Sequence, residues 1–168
     1  MKLLIVDDEE LTRHGLVSLL DWKALGIEEI CQADDGLNGL AAALEEEPDI
    51  VLCDVRMPRM DGITMLERIE SSQPDVAAIF MSGYSDKEYL KAAIKLKAVS
   101  YIEKPIEPKE IESAILHAIE QRRQALRRRD AESATTNMLA EQLAFQLTIP
   151  YVSCRETVDT LCEKFREH

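Results

Sequence analysis

Through residue 121 the chain alternates between two hydrophobic patterns. Residues 3–6, 50–53 and 76–81 are wholly apolar runs, while 27–33 and 99–102 are weaker versions of the same kind. Runs this short, without polar alternation, predict strands buried on both faces. Between them apolar residues recur every three or four positions. Leu11, Leu16, Leu19 and Leu20 predict a helix over 10–20, and a Leu/Ala-rich stretch predicts one over 37–46, with Pro48 as its stop. Residues 63–69 predict a third helix. Tyr89, Ala92, Ala93 and Leu96 share one face of a fourth, over 86–96. Pro108 suits a first helical turn and opens a fifth helix, with Ile111, Ala114, Ile115, Ala118 and Ile119 at core spacing.

Five such strand–helix units imply an α/β fold, a doubly wound five-stranded parallel sheet with helices on both faces. Sites in such sheets lie beyond the carboxyl ends of the strands. Those positions hold Asp7-Asp8 after the first strand, Asp54 after the third, Ser82-Gly83 after the fourth and Lys104-Pro105 after the fifth. Singly, each has an ordinary explanation: a strand-end Asp is often a turn or cap residue, and a lone Lys is usually solvated. Together they describe a chemistry. Three carboxylates on one sheet edge repel unless a hard cation sits among them, and oxygen-only ligation suits Mg²⁺. Asp54 can then act as a carboxylate nucleophile toward a phosphoryl group, with Lys104 and the Ser82 hydroxyl on its oxygens.

In order along the chain stand L-I-V-D-D-E, C-D-V-R-M-P-R-M-D-G, M-S-G-Y and Y-I-E-K-P-I. Residues 1–121 thereby resemble the receiver domain of two-component response regulators. The resemblance implies a flavodoxin-like sheet of order 2-1-3-4-5. It implies Asp54 as phosphoacceptor and Mg²⁺ at Asp7, Asp8, Asp54 and the main-chain carbonyl of Arg56. It makes Lys104 the phosphate-contacting lysine, Ser82 the hydroxyl switch in place of the commoner Thr, and Tyr101 the aromatic switch. It further implies a sensor histidine kinase as partner and an output face on the fourth helix, fifth strand and fifth helix. D-W-K-A-L-G at 21–26, Ser82-Gly83-Tyr84 and Y-L-K-A-A-I-K-L-K-A at 89–98 are similar to receivers that precede AraC-type DNA-binding domains. Where the family often has Gly, this chain has Lys97, so the fourth helix is expected to end differently or less firmly.

Two enzyme-like or cofactor-binding readings are weaker. A haloacid-dehalogenase-type phosphatase also uses a strand-end Asp, but needs a second Asp two positions on, where this chain has Arg56. A dinucleotide fold needs G-x-G-x-x-G after the first strand, which is absent.

Charge separates the chain into two parts. Residues 1–121 hold 12 Lys+Arg against 25 Asp+Glu, net −13, and residues 122–168 hold 8 against 7, net +1. A receiver this acidic does not bind nucleic acid by itself. DNA contact is therefore expected only through an output domain outside this chain. The opening apolar run is too short for a signal peptide or membrane span, and Cys31, Cys53, Cys154 and Cys162 have no metal or disulfide spacing. Both features fit a cytoplasmic protein. Residues 122–168 form the second unit, a helical linker or tail. Five arginines lie within 122–129 and read as a solvated helix end. Leu139, Leu143 and Leu147 form a stripe, Ile149-Pro150 is expected to break the helix, and Ser153 to Glu156 has a capping-box pattern. Val158, Leu161, Cys162 and Phe165 then line one face. The tail is thus either a homodimer contact, alternative to dimerisation through the output face, or a severed linker to an output domain.

Overall fold

The computed structural model describes residues 1–83 and 87–166, and side-chain environments for 1–83, 89 and 91–140. Strands β1 (Lys2–Val6), β2 (Glu29–Ala33), β3 (Ile50–Asp54), β4 (Ala77–Ser82) and β5 (Ser100–Glu103) alternate with helices α1 (Glu10–Leu19), α2 (Gly36–Glu46), α3 (Gly62–Ser72), α4 (Lys87–Lys95) and α5 (Pro108–Arg166). The strands form one sheet of order β2-β1-β3-β4-β5, and every pairing is parallel. The fold class expected from the hydrophobic pattern is therefore the observed one.

The apolar runs are split residue by residue between two cores, because successive strand side chains point to opposite faces. Leu3, Ile5, Ile50, Leu52, Ile79 and Met81 join Ile111, Ile115 and Ile119 of α5 and Leu16 of α1 on one side. Leu4, Val6, Val51, Cys53, Ala78 and Phe80 join Met65, Leu66 and Ile69 of α3 and Ala43 of α2 on the other. Ile27 lies outside β2 yet is buried in the first core, as is Trp22, whose Nε1 donates to the carbonyls of Leu16 and Val17 at 3.2 and 3.0 Å. Trp22 is thus a packing residue. Leu11 departs from expectation and is exposed. It lies five positions from Leu16, which carries it far round the helix from the buried stripe.

Two compact units divide the chain, Met1–Leu126 and Arg127–His168. In the first, Arg122 donates from Nε to Asp49 Oδ1 at 3.0 Å and from Nη1 to the carbonyl of Asp75 at 3.1 Å. In the second, the break expected at Ile149-Pro150 and the separate capped helix from Ser153 are absent, since α5 continues to Arg166. A proline deletes one main-chain hydrogen bond and strains one turn, which need not end a helix. Met138 and Leu139 are exposed. The side chains of Leu143, Leu147, Val158, Leu161, Cys162 and Phe165 lie outside the described residues, as does Tyr84. Among the described residues no helix is long and apolar enough to cross a membrane.

Candidate functional site

The parallel sheet sends the carboxyl ends of β1, β3, β4 and β5 to one edge, and the strand-end side chains meet there. Asp7 is 0% exposed and Asp54 8% exposed, whereas Asp8 is open to solvent. Carboxylate oxygens of all three lie within 4.8 Å of one another. Lys104 Nζ donates to Asp54 Oδ2 at 2.5 Å and to Asp7 Oδ2 at 2.9 Å. The peptide bond from Lys104 to Pro105 is cis.

Main-chain groups hold the carboxylates in place. Glu9 N–H donates to Asp7 Oδ1 at 2.9 Å, and Arg56 N–H donates to Asp54 Oδ1 at 3.2 Å. Arg13 Nη1 donates to the main-chain carbonyl of Asp7 at 2.8 Å. Gly62 opens α3 directly behind Asp54. A Cβ there would collide with the main-chain carbonyl of Asp54, so only glycine lets α3 approach so closely. Gly62 N–H donates to the carbonyl of Val55 at 2.9 Å and closes the loop. Farther along that loop Arg59, in the left-handed region at φ 64°, forms an ion pair with Asp35, the N-cap of α2.

Electrostatics of the cluster favour a cation. Burial pushes the Asp7 carboxyl above its usual value, and the hydrogen bond from Lys104 only partly offsets this. For Lys104, burial acts to lower the pKa. The hydrogen bonds to Asp54 and Asp7 outweigh it and hold the ammonium above its usual value. Three carboxylates therefore face one ammonium. The surplus of negative oxygen fits a hard divalent ion such as Mg²⁺, with Asp7, Asp8 and Asp54 as the side chains able to hold it. The buried thiol beside Asp54, Cys53, is pushed well above its usual pKa by desolvation and stays a neutral packing group.

Ser82 and Tyr101 form an adjoining pair. Ser82 is 1% exposed, and its hydroxyl donates to the Tyr101 hydroxyl at 2.5 Å. Lys104 N–H donates to the carbonyl of Ser82 at 2.7 Å, linking this pair to the acidic cluster through the main chain. The structure thus brings Asp7, Asp8, Asp54 and Lys104 into one cluster, adds the main chain of Arg56, and sets Ser82 with Tyr101 beside them. Sequence reasoning missed Arg13, Gly62 and the side chain of Arg56. The Arg56 guanidinium stands 5.7 Å from the centre of the Tyr89 ring on α4. Main-chain contacts such as those of Arg13 and Gly62 leave no periodic signature. The one available signal was D-G at the start of an apolar helix.

Comparison with known proteins agrees with this geometry. Residues 3–116 match the response regulator receiver domain family. The transcriptional regulatory protein YesN of Bacillus subtilis is 31% identical over 142 residues, 84% of this chain and 38% of that protein. The crystal structure of a two-component transcriptional regulator AraC from Clostridium phytofermentans is 55% identical, with a TM-score of 0.70, and the match covers 74% of this chain and 96% of that one. The REC domain of AraT from Geobacillus stearothermophilus is 31% identical, with a TM-score of 0.70, over 74% of this chain and 97% of that one. The chain spans about two fifths of the length of the curated relatives it matches.

Proposed function

Since the chain belongs to the response regulator receiver family of two-component systems, we propose that it is a cytoplasmic phosphorylation switch whose phosphoacceptor is Asp54 and whose donor is a sensor histidine kinase. The observation that carries this reading is Lys104 Nζ bridging Asp54 and Asp7 at 2.5 and 2.9 Å, with Asp8 alongside. Asp7, Asp8 and Asp54, with the main-chain carbonyl of Arg56, would hold Mg²⁺. The bound ion would neutralise charge on the incoming phosphoryl group and help orient it.

The remaining work belongs to the chain's own residues. A carboxylate oxygen of Asp54 attacks phosphorus, forming a P–O bond as the P–N bond to the donor imidazole breaks and the imidazole leaves. Lys104 keeps its proton and offers a compact positive charge to the phosphoryl oxygens. The Ser82 hydroxyl, given up by Tyr101, donates to another oxygen. Tyr101, on β5, is then released to repack toward α4, within the output face of α4, β5 and α5.

Signalling therefore proceeds by altered contacts rather than by substrate turnover. DNA is reached only through an output domain outside this chain, in keeping with the transcriptional regulators among its relatives. Residues 1–121 act as the receiver. Residues 122–168 serve as a homodimer contact or as the linker to that output domain, and the output face is the alternative dimer surface. Sedimentation of the full chain against residues 1–121 decides between these roles. A dimer confined to the full chain supports the tail contact, and a monomer in both, with and without phosphorylation, leaves the linker.

The test of the site is chemical. A small phosphodonor with Mg²⁺ should add one base-labile phosphoryl group, and Asp54→Asn should abolish it. Undiminished labelling of the Asn variant would remove Asp54 from its role.

A further inference from the structure

Arg56 is committed at both ends. Its main-chain N–H donates to Asp54 Oδ1 at 3.2 Å, while its guanidinium stands 5.7 Å from the centre of the Tyr89 ring. That separation lies inside the roughly 6 Å reach of a cation–π contact. Tyr89 sits on α4, half-buried, and packs against the core cluster that includes Ala93. One residue therefore touches the phosphoacceptor with its backbone and the fourth helix with its side chain.

The neighbouring main chain makes this contact more than incidental. Val55 is fixed by two main-chain bonds, its N–H to the carbonyl of Met81 and its carbonyl to Gly62 N–H, each 2.9 Å. Arg56 follows at once, and its N–H is spent on the reactive carboxylate. A rearrangement of Asp54 on binding a cation or a phosphoryl group must be felt at that N–H. The side chain carries the change to Tyr89 with no residue between. Among its described residues α4 buries only Ala93 fully, while Tyr89 and Ala92 pack partly buried against the same cluster, so the Tyr89 ring is a main described link between α4 and the site loop.

We propose that Arg56 is a positioning residue that couples occupation of the acidic site to the placement of α4 through Tyr89, in parallel with Ser82 and Tyr101. The coupling rests on the reading of Asp7, Asp8 and Asp54 as a metal site. Linkage makes it measurable from either end: if metal binding alters the contact, removing the contact alters metal affinity. A metal ion held at the Arg56 main chain should fix that residue and tighten its contact with the ring, so loss of the contact should weaken binding. The expected size is about two- to five-fold, the equilibrium worth of a partly exposed cation–π pair.

The test is a Mg²⁺ titration of the full chain, followed through the amide resonances of Asp8 and Arg56. It compares the parent with Tyr89→Phe, Tyr89→Leu, Arg56→Ala and the Arg56→Ala/Tyr89→Leu pair. Tyr89→Leu should raise Kd about two- to five-fold in the parent and leave it unchanged in the Arg56→Ala background, where no cation remains to face the ring. Comparing within each background cancels the charge removed with Arg56. Tyr89→Phe, which keeps the ring, should bind as the parent does. The Arg56 δ protons should show a ring-current shift that changes as Mg²⁺ is added. An unchanged Kd in Tyr89→Leu, or an equal loss in both backgrounds, overturns the coupling and leaves the metal site standing. A parent chain that binds no Mg²⁺ overturns both.

Discussion

Helices α3 and α4 lie on the same face of the sheet and are held in very different ways. α3 buries Ile63, Met65, Leu66 and Ile69. It begins at Asp61, whose carboxylate accepts from Thr64 N–H at 2.7 Å and from the Thr64 hydroxyl at 3.1 Å. It ends where Gln73 reaches across to the carbonyl of Ala43 at 2.8 Å. Among its described residues α4 buries only Ala93, leaves Ile94 69% exposed, and is followed by Lys97 at φ 50°, in the left-handed region. The helix that backs Asp54 is thus anchored at both ends and along its length. Among its described residues, the helix on the expected output face shows a small buried side chain, partly buried neighbours and a cation–π contact. Elements that move in a switch are drawn from the low-stability end of a fold, and the described residues set α4 nearer that end than α3.

The largest expected effect tests the firm side of the comparison. Ile69→Ala should cost about 2–5 kcal/mol in urea-unfolding free energy, because it empties a fully buried site. In hydrogen exchange the α3 amides should open only with global unfolding, and the α4 amides at a lower free energy. Equal protection of both helices would erase the contrast.

Much of this was legible in the chain. The strands announced themselves because a parallel sheet needs apolar residues on both faces, as in Leu3 against Leu4 and Val51 against Leu52. The topology then sent Asp7, Asp8, Asp54 and Lys104 to one edge without further information. What was hidden depends on side-chain reach and on close approach of main chain. Arg13 reaches a carbonyl, Gly62 makes room for one, and Arg56 finds a ring over thirty residues away in sequence. None of these follows from periodicity. Leu11 was misplaced because a three-to-four-residue spacing was read too generously, and Pro150 because a local penalty was treated as a stop.

The next effect concerns how α3 meets the site. Gly62→Ala should cost about 1–3 kcal/mol, since the new methyl group meets main chain rather than a flexible side chain. It should also weaken Mg²⁺ binding by pushing the carbonyl of Asp54. A variant as stable as the parent, with the same metal affinity, would show that α3 does not set the position of Asp54. A smaller loss, about 1 kcal/mol, is expected from Asp61→Ala, which leaves the Thr64 N–H without its cap. That loss should appear in the α3 amides and spare α4. Melting curves and exchange on the same sample check both statements.

The smallest effect has the opposite sign and lies on the loose side. Lys97 follows α4 as a left-handed cap, with Lys97 N–H on the carbonyl of Ile94 and Ala98 N–H on that of Ala93, both at 3.0 Å. The helix therefore ends in the glycine-type manner without the glycine, and the departure in sequence becomes backbone strain rather than a different cap. An L-residue in that region costs about 1–2 kcal/mol, which glycine relieves. Glycine also has more freedom to lose on folding, about 0.4–1 kcal/mol. The two terms leave Lys97→Gly between neutral and stabilising by about 1.5 kcal/mol. The gain should be local, slowing exchange of the α4 amides by a few-fold and leaving α3 unchanged. If Lys97→Gly destabilises the protein or firms α3 as much as α4, the cap is not what loosens this helix. The contrast would then rest on burial alone, and Arg56 with Tyr89 would carry a larger share of what holds α4 to the site.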